Sequence, residues 1–271
     1  MNARDALVLI GMIAAVGIVI DSLELIVVRK SLSESGVFAF SVLRTGWRPF
    51  VRGRMARPLS WIMEYPRVLV LPVTQMTGAA FLLVLPRAHG LLQQALGIMG
   101  CALVLVSRML MYARNQIGID GSDQMFLVIF TAGLIGWLGA DTDVIDIAVI
   151  YIACQLILAY LIAGVAKAWS PIWRNGRALG ALLDTIGLGR PRLAAVLQRH
   201  EAVSVSACWC VIVFECLGPA LVLVGVRGAW CFIVVSGLFH VGIACIMGLN
   251  SFVWAFGATY PAVLLLAGRV V

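Results

Sequence analysis

The chain has 271 residues, of which 62% are hydrophobic and 12% charged, and its mean hydropathy is +1.02. A soluble domain of this length could not cover its surface with so few polar groups, so a soluble globular fold is excluded. The net charge of +7 does not indicate nucleic-acid binding, because basic loops orient a membrane protein and contact anionic lipid. We therefore expect the lipid bilayer, and no nucleic acid, as a partner.

Apolar runs long enough to cross a bilayer predict about eight transmembrane helices. Backbone groups in lipid must be hydrogen-bonded internally, and the runs are too long for barrel strands. We therefore predict an all-α, polytopic transmembrane helical bundle that forms a single domain over residues 1–271. The predicted spans are 6–28, 67–85, 91–112, 124–139, 144–167, 203–226, 229–248 and 251–268.

Two long basic connections separate these spans, at 29–66 and 168–202. The first contains Trp47 and Trp61, and part of it is expected to lie in the membrane interface as an amphipathic helix. The second is expected to contain a basic helical stretch near Arg190–Arg199. When the loop after the first span is placed in the cytoplasm, 16 basic residues fall inside and 4 outside. This bias predicts an integral membrane protein with both termini outside.

Ionisable side chains within the predicted spans mark candidate functional positions. Asp21 and Glu24 share one face of the first span. They are expected either to pair with Arg29 or Lys30 at the helix end or to face the bundle interior as a carboxylate pair. Arg108, in the third span, is expected to be the counter-ion of one of the two carboxylates.

Lys167 lies at the end of the fifth span, and Trp169 and Trp173 follow at the depth where a membrane meets water. Tyr160, Gly164 and Lys167 are spaced i, i+4 and i+7, so they share one helix face. This pattern alone is typical of a lysine that extends to the lipid headgroups. The alternative is that the helix face with Tyr160, Gly164 and Lys167 is a functional site.

Two further polar residues stand inside later spans. Glu215 precedes Gly218-Pro219 by about one turn, and a glutamate in the membrane must pair, stay protonated or line a polar cavity. His240 lies in the seventh span, where a lone histidine is more often a satisfied core residue than a ligand. Because Lys167, Glu215 and His240 occupy three successive spans, we expect them to line one polar pocket as candidate catalytic residues.

Two other features are expected to be structural. The polar segment from Asn115-Gln116 to Asp120-Gly-Ser-Asp123 is predicted to be a turn and the N-cap of the fourth span. The seven cysteines lie in or near apolar runs without a CxxC pair, so we expect buried structural thiols. No motif has metal-ligand spacing.

Three short segments, taken in order, resemble the vitamin K-dependent gamma-carboxylase family and its bacterial relatives, the horizontally transferred transmembrane (HTTM) proteins. Ala163-Gly-Val-Ala-Lys167 followed by Trp173-Arg-Asn-Gly176 resembles the family pattern AG-x-x-K…W-x-x-G. The other two segments resemble its E-x-x-x-P and FH…G…F…A…P elements, and their residues are Glu215, Pro219, Phe239, His240, Gly248, Phe252, Ala258 and Pro261.

The resemblance implies a membrane enzyme in which Lys167 is the base. In the animal carboxylase the matching lysine deprotonates reduced vitamin K. Oxygenation then gives a strong base that removes the gamma proton of a peptide glutamate, and the carbanion takes CO2. A lysine can serve only when it is neutral, which apolar surroundings favour. The resemblance thus implies a reduced quinone as cofactor. The candidate substrate- or cofactor-binding residues are Tyr160, Gly164, Trp169, Trp173, Asn115, Gln116 and Arg108.

Departures from the family pattern lead us to expect a reaction other than full glutamate carboxylation. Ala166 replaces a second lysine of the carboxylase and Gln116 replaces a histidine. We also expect no counterpart of the carboxylase's large non-membrane C-terminal portion. The chain is similar in size to minimal bacterial HTTM proteins, one of which matures a secreted antimicrobial peptide, and this resemblance implies a bacterial cytoplasmic membrane. We therefore predict modification or maturation of a peptide. A non-catalytic factor for toxin-peptide maturation, export or immunity, and a subunit bound to a partner membrane protein, stay open as alternatives.

Overall fold

The computed structural model describes residues 1–46, 56–115, 118–139 and 141–270, and these residues form helices and connecting turns with no strand. Eight of the described helices are long and apolar enough to cross a membrane, which confirms the predicted all-α polytopic bundle. We call them spans 1 to 8: Ala3–Val27, Arg67–Arg87, Gly90–Arg114, Gly121–Gly139, Thr142–Trp169, Glu201–Val224, Val226–Met247 and Asn250–Val270.

Two of the spans change their helix geometry where proline requires it. The α-helix of span 6 ends at Leu217 and continues as a 3-10 helix over Gly218–Val224, because Pro219 has no N–H to donate. Span 8 is divided into Asn250–Gly257 and Tyr260–Val270, with Pro261 in the first turn of the second piece. Both irregular regions belong to the half of the chain that holds the candidate lysine.

The chain divides into two compact units, which we describe separately. Unit 2 is Leu7–Ala148 and unit 1 comprises Met1–Ala6 and Val149–Val271. In unit 2, span 3 packs against spans 2 and 4. In unit 1, span 7 packs against span 8 and against the 3-10 end of span 6.

Arg114, at the end of span 3, organises the 29–66 connection of unit 2. Its side chain is fully buried and donates to the main-chain carbonyls of Met63 at 2.9 Å, Leu32 at 3.0 Å and Phe38 at 3.1 Å. It also donates to Asn115 Oδ1 at 2.7 Å. The guanidinium fork thereby holds separate parts of the connection over an apolar cluster of Leu32, Phe40, Met63, Val68, Leu71 and Met111.

Short helices occupy both long connections. In 29–66 one runs over Ala56–Met63 with the Trp61 side chain exposed, whereas Trp47 lies outside the described residues. In 168–202 the predicted basic helix is confirmed as Pro191–Arg199, and it packs against the helix Arg177–Leu183. Placement of the Ala56–Met63 helix in the membrane interface stays a prediction.

The prediction that all cysteines are buried is wrong for most of them. Cys101 and Cys208 are buried, Cys216 is half-buried, and the remaining four are exposed: Cys154, Cys210, Cys231 and Cys245. The physical reason is that a membrane helix turns apolar side chains outward as well as inward, so an apolar run does not imply burial within the protein. All seven thiols are free.

Candidate functional site

Lys167 and Glu215 form an ion pair in unit 1. Nζ of Lys167 lies 2.6 Å and 2.9 Å from the two carboxylate oxygens of Glu215, so the contact is bidentate. The carboxylate is almost completely buried and the lysine side chain is 21% exposed. Lys167 therefore turns toward span 6 and does not extend along the helix axis to the headgroups.

Gly164 brings spans 5 and 6 into main-chain contact beside this pair. A Cβ at this position would lie 2.8 Å from the main-chain nitrogen of Cys216 and 2.9 Å from the main-chain carbon of Glu215, which is closer than real Cβ atoms approach. Because Lys167 follows Gly164 by one turn, the close approach sets the carboxylate within reach of the ammonium.

Trp173 covers the other side of the lysine. Its ring centroid lies 5.2 Å from Nζ of Lys167, a cation–π distance. Two hydrogen bonds hold the segment that carries Trp173 on span 6. The Ser204 hydroxyl donates to the Gly176 carbonyl, and Trp209 Nε1 donates to the Arg174 carbonyl at 3.2 Å. Gly176 has a φ of +78°, a left-handed conformation that a side chain would strain.

A second polar group in unit 1 joins spans 5, 7 and 8. The Tyr160 hydroxyl is 2.7 Å from His240 Nε2 and 2.7 Å from Ser236 Oγ, and Ser236 Oγ is 2.8 Å from the Tyr260 hydroxyl. Nδ1 of His240 is buried without a hydrogen-bond partner among the described residues. Sequence reasoning missed Ser236 and Tyr260. The i, i+4 spacing of Ser236 and His240 on one helix face is the signal that could have found the serine.

Aromatic rings surround this second group and extend to the first. The His240 ring centroid is 4.3 Å from that of Phe256 and 5.8 Å from that of Phe252. The Tyr160 ring meets Phe214 edge-on at 5.5 Å, and Phe214 directly precedes Glu215 in span 6. The structure thus brings Lys167 to Glu215 and His240 to Tyr160. A pocket shared by Lys167, Glu215 and His240 stays a prediction.

Arg108 is the centre of an ionic cluster in unit 2. Its guanidinium lies 3.0 Å from an Asp21 oxygen and 2.8 Å from an Asp123 oxygen, and it covers the Phe126 ring at 4.5 Å. The expected pairing of Arg108 with one of the two carboxylates of span 1 is confirmed, and the structure shows Asp21 as that partner. Asp123, at the start of span 4, is a second partner that sequence reasoning missed.

Three other candidate residues lie in different places along the chain. Asn115 accepts a hydrogen bond from Arg114 in unit 2, and Gln116 lies outside the described residues. The Trp169 side chain is 82% exposed. Asp120 Oδ1 accepts a hydrogen bond from the main-chain N–H of Ser122 at 2.8 Å, which confirms the predicted N-cap of span 4.

The fold and its polar groups define a class of protein: an integral membrane protein with eight apolar helices among its described residues and a partly buried lysine–glutamate pair. Within the described ranges, no three His, Cys, Asp or Glu side chains are grouped so that they could hold a metal ion. Comparison of the chain with family models, curated proteins and solved structures returns no match.

Proposed function

We propose that this protein is an integral membrane enzyme in which Lys167 takes a proton from a membrane-borne substrate with Glu215 as its partner. The observation that carries the proposal is the choice of cation. The chain contains 18 arginines and two lysines, and one of the lysines stands in this pair. Arginine is the better residue for a purely structural bidentate pair, but only lysine can lose its proton.

The pair offers two arrangements of one proton. Lys167 and Glu215 can be ammonium and carboxylate, or amine and carboxylic acid, and the second arrangement avoids separated charges where water is scarce. In that arrangement the amine is a base. When Nζ takes a proton from a substrate, the Lys167 ammonium forms beside the substrate anion, so the site gains no net charge.

The position of the pair supports a substrate that reaches it through the membrane. It lies at the end of span 5 beside Trp173, a level that a lipid-soluble acid such as a quinol can reach laterally. The resemblance to the gamma-carboxylase family adds a peptide as the modified partner. Ala166 and Gln116, which replace two family residues, favour peptide maturation over full carboxylation.

The orientation of the protein is part of the proposal. Eight spans return the chain to the side on which it starts, so both termini share one side. The basic 29–66 and 168–202 connections favour the cytoplasm for those loops and the outside of a bacterial cytoplasmic membrane for the termini. Cysteines introduced at Arg57 and Arg177 should then resist an impermeant thiol reagent added outside intact cells. Labelling at both positions would contradict this orientation.

The catalytic proposal is tested with purified protein in lipid nanodiscs supplied with menaquinol and oxygen. We expect oxygen-dependent consumption of the quinol. Lys167→Arg should lower the rate by about 100-fold, because the charge and the ion pair remain but the base is lost. Lys30→Arg is the matched control, since Lys30 is the other lysine of the chain and is exposed, and its rate should equal that of the wild type.

Two outcomes would contradict the proposal in different ways. Full turnover by Lys167→Arg would show that Lys167 is not the base. No quinol consumption by the wild-type protein would remove the quinol as substrate. Mass spectrometry of peptides from cells that express wild-type or Lys167→Arg protein then tests peptide modification directly.

A second candidate function follows from the close contact at Gly164. A purely structural link between two helices also requires the main-chain contact of spans 5 and 6 and the bidentate ion pair. Such a link suits a non-catalytic maturation or immunity factor, or a subunit of a membrane complex. An ion pair with only this structural role tolerates replacement of both its residues by apolar residues of similar volume. Lys167→Met combined with Glu215→Leu would then keep the protein's effect on its peptide or partner, whereas the enzyme would lose it.

A further inference from the structure

The 168–202 connection of unit 1 folds as a helical hairpin on the start of span 6. Its helices Arg177–Leu183 and Pro191–Arg199 pack against each other and against span 6. A Cβ added at Gly180 would lie 3.5 Å from Cγ of Gln198, so the two helices run antiparallel. The first residue of one helix and the last residue of the other therefore lie at the same end of the hairpin, beside span 6.

The segment that joins span 5 to this hairpin lies at the level of the lipid headgroups. Span 6 has 17 residues of α-helix and 7 of 3-10 helix. Its length is thus about 40 Å, whereas a hydrocarbon core is about 30 Å thick, so about 5 Å remains for the headgroup layer at each end. Ser204 is about one turn into the span and holds the Gly176 carbonyl. Trp209 is about two turns into it and holds the Arg174 carbonyl, which sets this main chain at the boundary of the hydrocarbon.

Three arginines at this end of the hairpin form an exposed basic face: Arg174, Arg177 and Arg199. Within the described part of the chain, none of their guanidiniums has a hydrogen bond or an ion pair. Glu201, the nearest carboxylate along the chain, is exposed and forms no ion pair with a described residue either. Arg108 in unit 2 differs, because two carboxylates compensate it. A cation at the membrane boundary is stabilised by an anion, so the basic face is suited to a partner outside the chain.

Apolar side chains beside the basic face favour a lipid as that partner. Trp169 is 82% exposed and Ile172 is 46% exposed, and both lie on the segment that leads to Arg174. A tryptophan at this level is typical of a membrane interface, where its ring meets both headgroups and acyl chains. An acidic peptide in water would compensate the arginines but would leave these apolar side chains uncovered. A phospholipid satisfies both, since its phosphate meets the arginines and its acyl chains cover the apolar groups.

We propose that Arg174, Arg177 and Arg199 bind the phosphate of an anionic phospholipid whose acyl chains lie against Trp169 and Ile172. The N–H groups of a guanidinium match phosphate oxygens in pairs, which gives the site its geometry. A zwitterionic lipid is disfavoured, because its ammonium group would lie beside three guanidiniums. The lipid is bound without a chemical change. The proposal uses none of the contacts between Lys167 and Glu215, so it does not rest on the proposed base.

The test titrates the purified protein in detergent micelles with phosphatidylglycerol or with phosphatidylcholine. Native mass spectrometry of the lipid-bound and lipid-free protein gives each dissociation constant. We expect the wild-type protein to bind phosphatidylglycerol about tenfold more tightly than phosphatidylcholine. Arg174→Gln combined with Arg177→Gln should weaken phosphatidylglycerol binding by about 25-fold, because each arginine near an anionic lipid is worth about fivefold in affinity. Binding of phosphatidylcholine should stay unchanged.

The matched control is Arg87→Gln combined with Arg227→Gln. It removes the same charge from two exposed arginines, at the end of span 2 and the start of span 7. This variant should bind phosphatidylglycerol as the wild-type protein does. An equal loss of affinity in the two double variants would show an effect of net charge alone and would overturn the site. Wild-type affinity in Arg174→Gln with Arg177→Gln would overturn it as well.

Two competitors separate a lipid from other anions. Inorganic phosphate and a hexaglutamate peptide, each equal in concentration to the phosphatidylglycerol, should leave the lipid bound, because neither covers Trp169 and Ile172. Displacement by phosphate would identify a simple anion site, and displacement by hexaglutamate would identify an acidic peptide as the partner. Either result would overturn the lipid proposal.

One additional variant separates this inference from the proposed function. Lys167→Arg keeps its positive charge, so it should bind phosphatidylglycerol like the wild-type protein while its quinol consumption falls. A variant that consumes quinol normally but binds the lipid as expected would leave this proposal standing and remove the proposed base.

Discussion

Unit 1 and unit 2 each hold a cation within membrane-spanning helices, but they stabilise it differently. In unit 2 the arginine Arg108 is held by two carboxylates, Asp21 and Asp123. In unit 1 the lysine Lys167 has one, Glu215, which it contacts through both oxygens. A guanidinium keeps its charge in every protein environment, so it needs full compensation, whereas an ammonium can discharge by giving up its proton. The difference indicates a fixed structural ion in unit 2 and a group able to exchange a proton in unit 1.

The largest expected effect on stability comes from removal of the carboxylates. Asp21→Asn combined with Asp123→Asn leaves a permanently charged Arg108 without compensation and should lower the free energy of unfolding by about 3–5 kcal/mol. Glu215→Gln leaves Lys167, which can become neutral, and should cost about 1–3 kcal/mol. Unfolding in mixed micelles with increasing denaturing detergent measures both. If Glu215→Gln lowers the free energy of unfolding more than the double variant does, the proposed difference between the two cations is wrong.

The second effect concerns the contact that creates the pair in unit 1. Gly164→Ala forces spans 5 and 6 apart and should cost about 1–3 kcal/mol in the same unfolding measurement. Gly242→Ala is the matched control, because a Cβ at Gly242 of span 7 meets nothing within 4 Å. Alanine favours the helix there, so that variant should be equally stable or gain about 0.5–1 kcal/mol. Equal behaviour of the two variants would show that the close approach at Gly164 is not needed.

The smallest effect comes from the rings beside the two cations. Trp173→Leu removes the ring 5.2 Å from the lysine and should cost about 0.5–1 kcal/mol. Phe126→Leu removes the ring 4.5 Å from the buried Arg108 and should cost more, because that cation is more completely desolvated and packing is lost as well. If Trp173→Leu is the more destabilising change, the lysine is more buried in the membrane than its contacts within unit 1 indicate.

The spans and one ion pair could be predicted from sequence because few alternatives exist for them. Charged or proline-containing segments separate most of the apolar runs, and Gly248-Leu-Asn-Ser251 separates the last two, so their lengths and ends follow from composition. Arg108 had few carboxylates within helical spans to pair with, so Asp21 or Glu24 could be predicted as its partner, and the structure selects Asp21. Asp123 was missed because it also reads as part of an N-cap, and the structure shows it at the start of span 4 beside the arginine.

The candidate site was predicted only as a set of residues. Lys167, Glu215 and His240 stood out because each is an ionisable group in an apolar helix. Their pairing depends on which face each helix turns to its neighbours. Ser236 and Tyr260 were missed because neither carries a charge, and a hydroxyl in an apolar helix is common.

The sequence by itself determined the eight helices, since helix length and apolar character are local properties of each segment. Tertiary structure alone decided which groups meet: Lys167 and Glu215 are 48 residues apart, and Tyr160 and His240 are 80 apart. The physical reason is that apolar helices in lipid carry little periodic signal for their rotation, so small residues such as Gly164 and the polar groups themselves set the packing. The lysine–glutamate pair and the hydroxyl chain exist only once that packing has formed.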